Sequence, residues 1–171
     1  SARQFQQEDF ADTVRSLLDD FAIDASRLKL ELTESMILDD IATAIDKMQL
    51  LREFGVAFSL DDFGTGDSSL AYLTRLPLDE IKIDQSFVAK LPGTPSDQII
   101  VETTIAMGRG LGLRVVAEGV ETEAQHRFLK EHGCHVFQGY LFGRPVPQTE
   151  FMPLVLQPAA DEKGKAALID G

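Results

Sequence analysis

Apolar residues recur along this chain in two alternating rhythms, one of helices and one of strands. Phe10, Val14, Leu17, Leu18 and Phe21 fall at helical spacing and predict an amphipathic helix over roughly residues 8–22. Leu28 to Leu32 is a short strand-like run that ends in Glu31-Leu32-Thr33-Glu34. Asp39 or Asp40 is placed to cap the next helix, whose apolar stripe is Ile41, Ala44, Ile45, Met48 and Leu51 and whose C-terminal cap is Gly55. A strand around Phe58 precedes a short helix that Pro77 stops. Ile81-Lys82-Ile83-Asp84 alternates apolar and charged residues and reads as a third strand. After the loop Pro92-Gly93-Thr94-Pro95, Ser96 caps a helix running to about Gly112, and Arg114 to Ala117 forms a fourth strand. A helix over roughly 122–132 ends at Gly133, and His135 to Tyr140 gives a fifth strand. Gly143 to Pro147 breaks the pattern. Residues 149–156 predict a last short helix, against which Pro153 counts, and Pro158 to Gly171 has the composition of a loose tail.

Strands alternating with helices imply an α/β fold with parallel strands joined by helical crossovers. Each predicted strand also delivers polar residues at its carboxyl end: Glu31 and Glu34, Asp61 and Asp62, Lys82 and Asp84, Glu118 and Glu121, and Gln138. A doubly wound sheet gathers its site at one switch point, whereas consecutive strands that each supply a ligand fit a ring. The expected fold is therefore a (β/α)8 TIM-type barrel, of which this chain carries about five strands with their helices. Residues 1–156 make up that portion and 157–171 the tail. The chain opens in a polar stretch that leads straight into a helix, as if the preceding strand had been cut away.

Composition narrows the chemistry. With 171 residues and 44% hydrophobic content the chain suits one domain with a real core. It contains no apolar run of eighteen residues and opens on no signal peptide. The single Cys134 excludes an intrachain disulfide and fits a reducing, cytoplasmic compartment, with a membrane tether left open for any upstream segment. A net charge of −12 argues against a nucleic-acid polymer as partner. A small phosphate ester remains accessible if metal ions supply positive charge.

The stretch Ala57 to Ser69 concentrates the candidate chemistry. An apolar run ends in the adjacent acids Asp61 and Asp62, and Gly64 and Gly66 follow. Two neighbouring carboxylates at a strand end repel one another, which a divalent cation would offset. The plainer alternative makes Asp62 a helix cap. Likewise Lys82 and Asp84 could form a strand-end ion pair, Glu34 could simply begin a helix, and Gln138 could be an unremarkable polar residue. His132-Gly133-Cys134-His135 has the look of metal-ligand spacing but lacks a fourth ligand, so a turn with a buried thiol is expected. Gly108 to Gly112 follows a helix rather than a strand, which is helix termination and not a dinucleotide loop.

Glu31-Leu32-Thr33-Glu34, Asp61-Asp62-Phe63-Gly64-Thr65-Gly66, Lys82-Ile83-Asp84, Ala117-Glu118-Gly119-Val120-Glu121 and Gln138-Gly139-Tyr140 stand in an order and spacing that resemble the EAL domain, a bacterial cyclic di-GMP phosphodiesterase. The resemblance covers the C-terminal two-thirds of that domain. The Glu-Ala-Leu motif and a metal-binding asparagine of the family fall before Ser1. The resemblance implies metal-dependent hydrolysis of cyclic di-GMP to linear pGpG, with two Mg²⁺ or Mn²⁺ ions. It places Glu31 and Asp61 on one metal, Asp61 as the bridge to the second, and Asp62 at the second. Glu121 and Gln138 support that second metal and its waters. It puts Lys82 near the attacking water, Glu118 as the group that helps deprotonate it, and Glu34 as the anchor of the loop containing Gly64, Thr65 and Gly66. A homodimer and upstream regulatory domains are further implications. The chain departs from the family at Asp67, where Tyr is usual. Two alternatives stand beside turnover: a receptor that binds cyclic di-GMP without cleaving it, and an unrelated Mg²⁺-dependent barrel enzyme using Lys82 as base.

Overall fold

The computed structural model describes residues 2–64 and 70–156. The chain enters through α1 (Ala2–Phe5) and α2 (Phe10–Asp20), then a 3-10 turn at Ala25–Arg27 leads into β1 (Lys29–Thr33). Next come α3 (Glu34–Leu38), α4 (Ile41–Glu53), β2 (Ala57–Phe63) and α5 (Leu70–Leu73). The remainder runs β3 (Glu80–Ile83), α6 (Gln85–Val88), α7 (Pro95–Gly110), β4 (Arg114–Ala117), α8 (Glu123–Glu131), β5 (Val136–Phe137) and α9 (Gln148–Leu156). The predicted tail, with Thr65, Gly66 and Asp67, lies outside the described residues.

All five strands are parallel, and their order across the sheet is their order along the chain. A doubly wound sheet would reverse direction part-way. Monotonic order is that of a barrel wall, and the chain forms an arc of one. Strand pairing assigns the two faces. Lys29, Glu31, Ser59, Asp61, Glu80, Lys82, Arg114, Val116 and, one step past β4, Glu118 share the inner face, by pairings such as Glu31 with Ser59, Ser59 with Glu80, and Lys82 with Val116. Leu30, Leu32, Phe58, Leu60, Ile81, Ile83, Val115 and Ala117 share the outer face, and nearly all of them are buried. The apolar core therefore lies between sheet and helices, and the inner face is polar.

That inner face carries two ionic layers of opposite polarity. At the strand starts the buried Glu80 accepts Lys29 Nζ at 2.7 Å and Ser59 Oγ at 3.1 Å, with Arg114 at 4.0 Å. Two residues further along β3, the buried ammonium of Lys82 faces acids from the flanking strands. On the outer face α7 approaches closely because Gly108 has no side chain: a Cβ there would stand 2.4 Å from Val115 Cγ2 and 3.2 Å from Ile81 Cγ2.

Local chemistry sets the helix ends, with some departures from expectation. Asp40, not Asp39, caps α4, its carboxylate accepting Thr43 N–H at 3.1 Å and Thr43 Oγ1–H at 2.7 Å. α7 starts before Ser96: Pro95 occupies its first turn and Thr94 is the cap residue, donating its hydroxyl to Asp97 at 2.7 Å. Thr122 and Gln125 form a reciprocal capping box that opens α8. In α2 the inward stripe runs through Ala11, Val14 and Leu18, whereas Leu17 and Phe21 face solvent. β5 is only two residues long instead of the six expected. Pro153 is accommodated inside α9.

Because the α7–sheet contact has no room for a methyl group, Gly108→Ala should destabilise the fold by about 1–3 kcal/mol. Chemical denaturation should also show the Gly108→Ala/Val115→Ala pair costing less than the sum of its single substitutions. Full additivity would mean that the two positions do not meet.

Candidate active site

The strand alternation that buries Ile81 and Ile83 against helices turns Lys82 to the inner face at the carboxyl end of β3. There its ammonium lies 2.6 Å from Glu118 Oε1, 3.0 Å from Glu31 Oε2 and 3.5 Å from Asp61 Oδ1. The lysine side chain is 5% exposed and the three acids are 17%, 51% and 24% exposed respectively. One buried cation thus gathers acids from β1, β2 and the end of β4. Burial alone would lower the Lys82 pKa. Hydrogen bonds to Glu118 and Glu31, with the charges of Glu118 and Asp61, outweigh burial and hold the pKa well above its ordinary value. Lys82 is therefore an ammonium at any working pH. Glu118 moves the other way from a simple ion pair: burial pushes its pKa up, Lys82 pulls it down, and Asp61 and Glu31 push it up again.

Asp62 reaches the same neighbourhood by a backbone irregularity. Three steps along β2, Leu60 to Phe63, oppose two along β3, Ile81 to Ile83, so β2 carries one extra residue. Asp62 takes it up at φ +55°, a left-handed conformation that acidic residues tolerate better than most, and donates its N–H to Asp61 Oδ1 at 3.0 Å. A regular strand would have sent Asp62 to the helix side. Burial raises its pKa, with Asp61 and then Asp84 adding to the rise against Lys82.

The other predicted positions are arranged around this cluster without joining it. Glu34 opens α3 and accepts the Tyr72 phenol at 2.6 Å in a buried bond. Glu121 is exposed, and its backbone N–H donates to Gln125 Oε1 at 2.8 Å. Gln138 is exposed just past β5; its N–H donates to the Ala117 carbonyl at 2.8 Å and its own carbonyl accepts Val120 N–H at 3.0 Å. Gly64 has φ +93°, and a Cβ there would stand 3.3 Å from the Phe87 ring. Gly119, at φ +66°, lets the turn after Glu118 lie against α6, where a Cβ would come 2.7 Å from Gln85 Cβ. Among the described residues no three His, Cys, Asp or Glu side chains converge as a ready metal site. The acids around Lys82 are hard oxygen donors, the set that Mg²⁺ and Mn²⁺ favour: Glu31, Asp61 and Glu118 lie against its ammonium, Asp62 feels its charge, and Asp84 adds negative charge beside Asp62. That donor set fits divalent cations.

Two residues in this arrangement had no assigned role in the sequence. Tyr72 stands among Leu70, Ala71 and Leu73, and nothing in that apolar run marks its phenol. Asp84 was visible as a strand-end acid; it caps α6 through Ser86 N–H at 3.0 Å and adds negative charge beside Asp62. The His132–His135 segment forms no cluster: His132 Nδ1 lies 2.7 Å from the Phe128 carbonyl and its Nε2 3.2 Å from Glu102. Burial pushes the Cys134 thiol up to about 11.

Acids and one buried lysine at the carboxyl ends of consecutive parallel strands define a (β/α)-barrel protein with an anionic strand-end site. The sequence matches the EAL domain over residues 1–145, and the chain belongs to that family. The cyclic di-GMP phosphodiesterase NbdA of Pseudomonas aeruginosa is 50% identical over 136 residues, which is 80% of this chain and 17% of that protein. The solved PaMucR phosphodiesterase in its c-di-GMP complex matches with a TM-score of 0.84 and 46% identity, covering 88% of this chain and 61% of that one. The manganese/c-di-GMP complex of Klebsiella pneumoniae BlrP1 matches with a TM-score of 0.76 and 32% identity, covering 83% of this chain and 36% of that one. The chain spans about a fifth of the length of the curated relatives it matches.

The charge imbalance has opposite consequences at two positions. Lys82→Met leaves the partly buried Glu118 and Asp61 without their cation and should cost about 2 kcal/mol of stability. Asp62→Asn should instead raise the thermal midpoint at neutral pH by about 2 °C. A raised folded-state pKa contributes stability below the unfolded pKa that is lost as pH rises, so the Asn advantage should vanish on acidification below the ordinary carboxylate range. Melting curves across pH check both signs.

Proposed function

We propose that this chain is the part of a cyclic di-GMP phosphodiesterase that supplies Lys82, Glu118 and most of the acidic site, and that the whole protein hydrolyses cyclic di-GMP to linear pGpG. The observation that carries this reading is the grip of Lys82 on Glu118, Glu31 and Asp61 at adjacent strand ends, in a chain of the EAL family. The names of NbdA and MucR, and the c-di-GMP complexes of PaMucR and BlrP1, support the substrate.

Glu31 and Asp61 would hold one Mg²⁺ or Mn²⁺ ion, with Asp61 bridging to a second ion held by Asp62 and supported by Glu121 and Gln138. Bound there, the ions would neutralise phosphodiester charge and acidify a coordinated water. The chain's own contribution is proton handling and placement. Lys82, permanently charged, orients the attacking water by donation and steadies the negative charge that develops on phosphate oxygens. Glu118, bonded to Lys82 at 2.6 Å, takes the water's proton, and its raised pKa makes it a stronger base than an ordinary carboxylate. Glu34 anchors the segment containing Gly64, Thr65 and Gly66. The barrel portion extends over residues 1–156 with 157–171 as a tail, and the parent carries regulatory domains and acts as a cytoplasmic homodimer. The greater length of the relatives supports the further domains, and among the described residues no helix is long and apolar enough to cross a membrane.

The test is incubation of the whole protein with cyclic di-GMP and Mn²⁺, followed by chromatography for pGpG. Asp61→Asn should abolish turnover and weaken Mn²⁺ binding, while Glu150→Gln, on exposed α9, should change neither. Glu118→Gln, still able to accept from Lys82, should bind cyclic di-GMP in Ca²⁺ and lose at least about 100-fold in rate. Binding without any pGpG from the unaltered protein would replace turnover with the receptor reading.

A further inference from the structure

Between Gly64 and Leu70 the chain leaves the strand that bears Asp61 and Asp62 and returns as α5. A buried polar contact lies at this return. Tyr72, 5% exposed, donates its phenol to Glu34 Oε1 at 2.6 Å, and Glu34, also 5% exposed, is a carboxylate with little access to water. A buried carboxylate needs donors, and an O–H···O⁻ bond of this length is a strong, charge-assisted one. The partners are 38 residues apart in sequence, so the bond is tertiary and joins α5 to the end of β1. Glu34 opens α3 three residues after Glu31 of β1, so whatever displaces Glu34 acts on the segment that carries a Lys82 partner. At the departing end, Gly64 rests close to the Phe87 ring. At its two described ends, Gly64 lies close to the Phe87 ring of α6 and Tyr72 donates to Glu34.

We infer that Tyr72 is a positioning residue for phosphodiester hydrolysis, acting through Glu34 to fix where the chain after Asp61-Asp62 rejoins the site. The inference rests on the phosphodiesterase reading. A merely structural tyrosine would matter for stability through its ring, which Phe retains. A positioning tyrosine matters through its hydroxyl, which Phe lacks.

The experiment uses the whole protein carrying this chain, with Mn²⁺ and cyclic di-GMP. Tyr72→Phe should lower kcat about tenfold or more while KM stays within about twofold, the scale of a lost bond to a charged acceptor. The pair should act as a unit, so that Tyr72→Phe/Glu34→Gln is no slower than Glu34→Gln alone. An unchanged kcat, or two losses that multiply independently, overturns the inference. Backbone hydrogen exchange supplies a readout that needs no activity. Tyr72→Phe should speed exchange at residues 63–73 and leave β3 and β4 as they were. Unchanged exchange, or acceleration spread evenly over the chain, overturns it. If the unaltered protein forms no pGpG, the phosphodiesterase reading fails by itself, and exchange at residues 63–73 alone decides whether the tether exists.

Discussion

A single buried ammonium organises this structure. Lys82 cannot lie in the wall of a barrel without counter-charge, because an isolated buried cation is far costlier than any contact it makes with apolar neighbours. Its counter-charges come from β1, β2 and the end of β4, so the requirement is met only when four strands align in one register. The apolar outer face supplies the drive to assemble the sheet against its helices. The inner ion cluster decides how the strand ends meet. Site and fold are in that sense the same interaction viewed from two sides.

Backbone features rather than further side chains complete the arrangement. Adjacent residues of a regular strand point to opposite faces, so Asp61 and Asp62 could not share one side without the extra residue in β2 and the left-handed turn at Asp62. Glu118 depends on Gly119 in the same way: the turn after β4 presses against α6 at a distance that excludes a side chain. Carboxylates so assembled repel one another, and the raised pKa values of Asp62 and Glu118 record that burial and repulsion resist their ionisation. A site built this way is poised for cations.

The broad architecture was legible because its signals were periodic. Alternation at Ile81-Lys82-Ile83 marked the strand that the structure shows, and Glu31, Asp61 and Glu118, acids near the ends of apolar runs, lie beside Lys82. Features set by tertiary geometry were not legible. Leu17 and Phe21 satisfy helical spacing as well as Leu18 does, and it is tertiary placement, with α4 against α2, that decides which stripe is covered. Ser96 and Thr94 are both good caps by type, and Pro95 tips the start two residues earlier. β5 is short because Gln138 and Gly139 turn against the Val120 backbone, where a Cβ on Gly139 would stand 2.2 Å from the Val120 carbonyl oxygen. Tyr72 was hidden for a different reason: an apolar context gives no hint that a phenol will find a carboxylate 38 residues away.

The opposed ionic layers on the inner face also bear on how the strands find their partners. A slip of one residue would turn Lys82 and Glu80 outward among residues such as Leu60 and Val115 and turn Ile81 inward, an error that hydrophobic patterning already forbids. A slip of two residues keeps every apolar side chain on its proper face and would pass that filter. It would, however, bring Glu80 beside Glu31, Asp61 and Glu118, or bring Lys82 beside Lys29 and Arg114. The buried Glu80 or Lys82 would then meet charges of its own sign. Reversal of sign over two residues of β3 thus makes the polar interior a proofreading device for parallel pairing, rejecting the one misalignment that an apolar interior would accept.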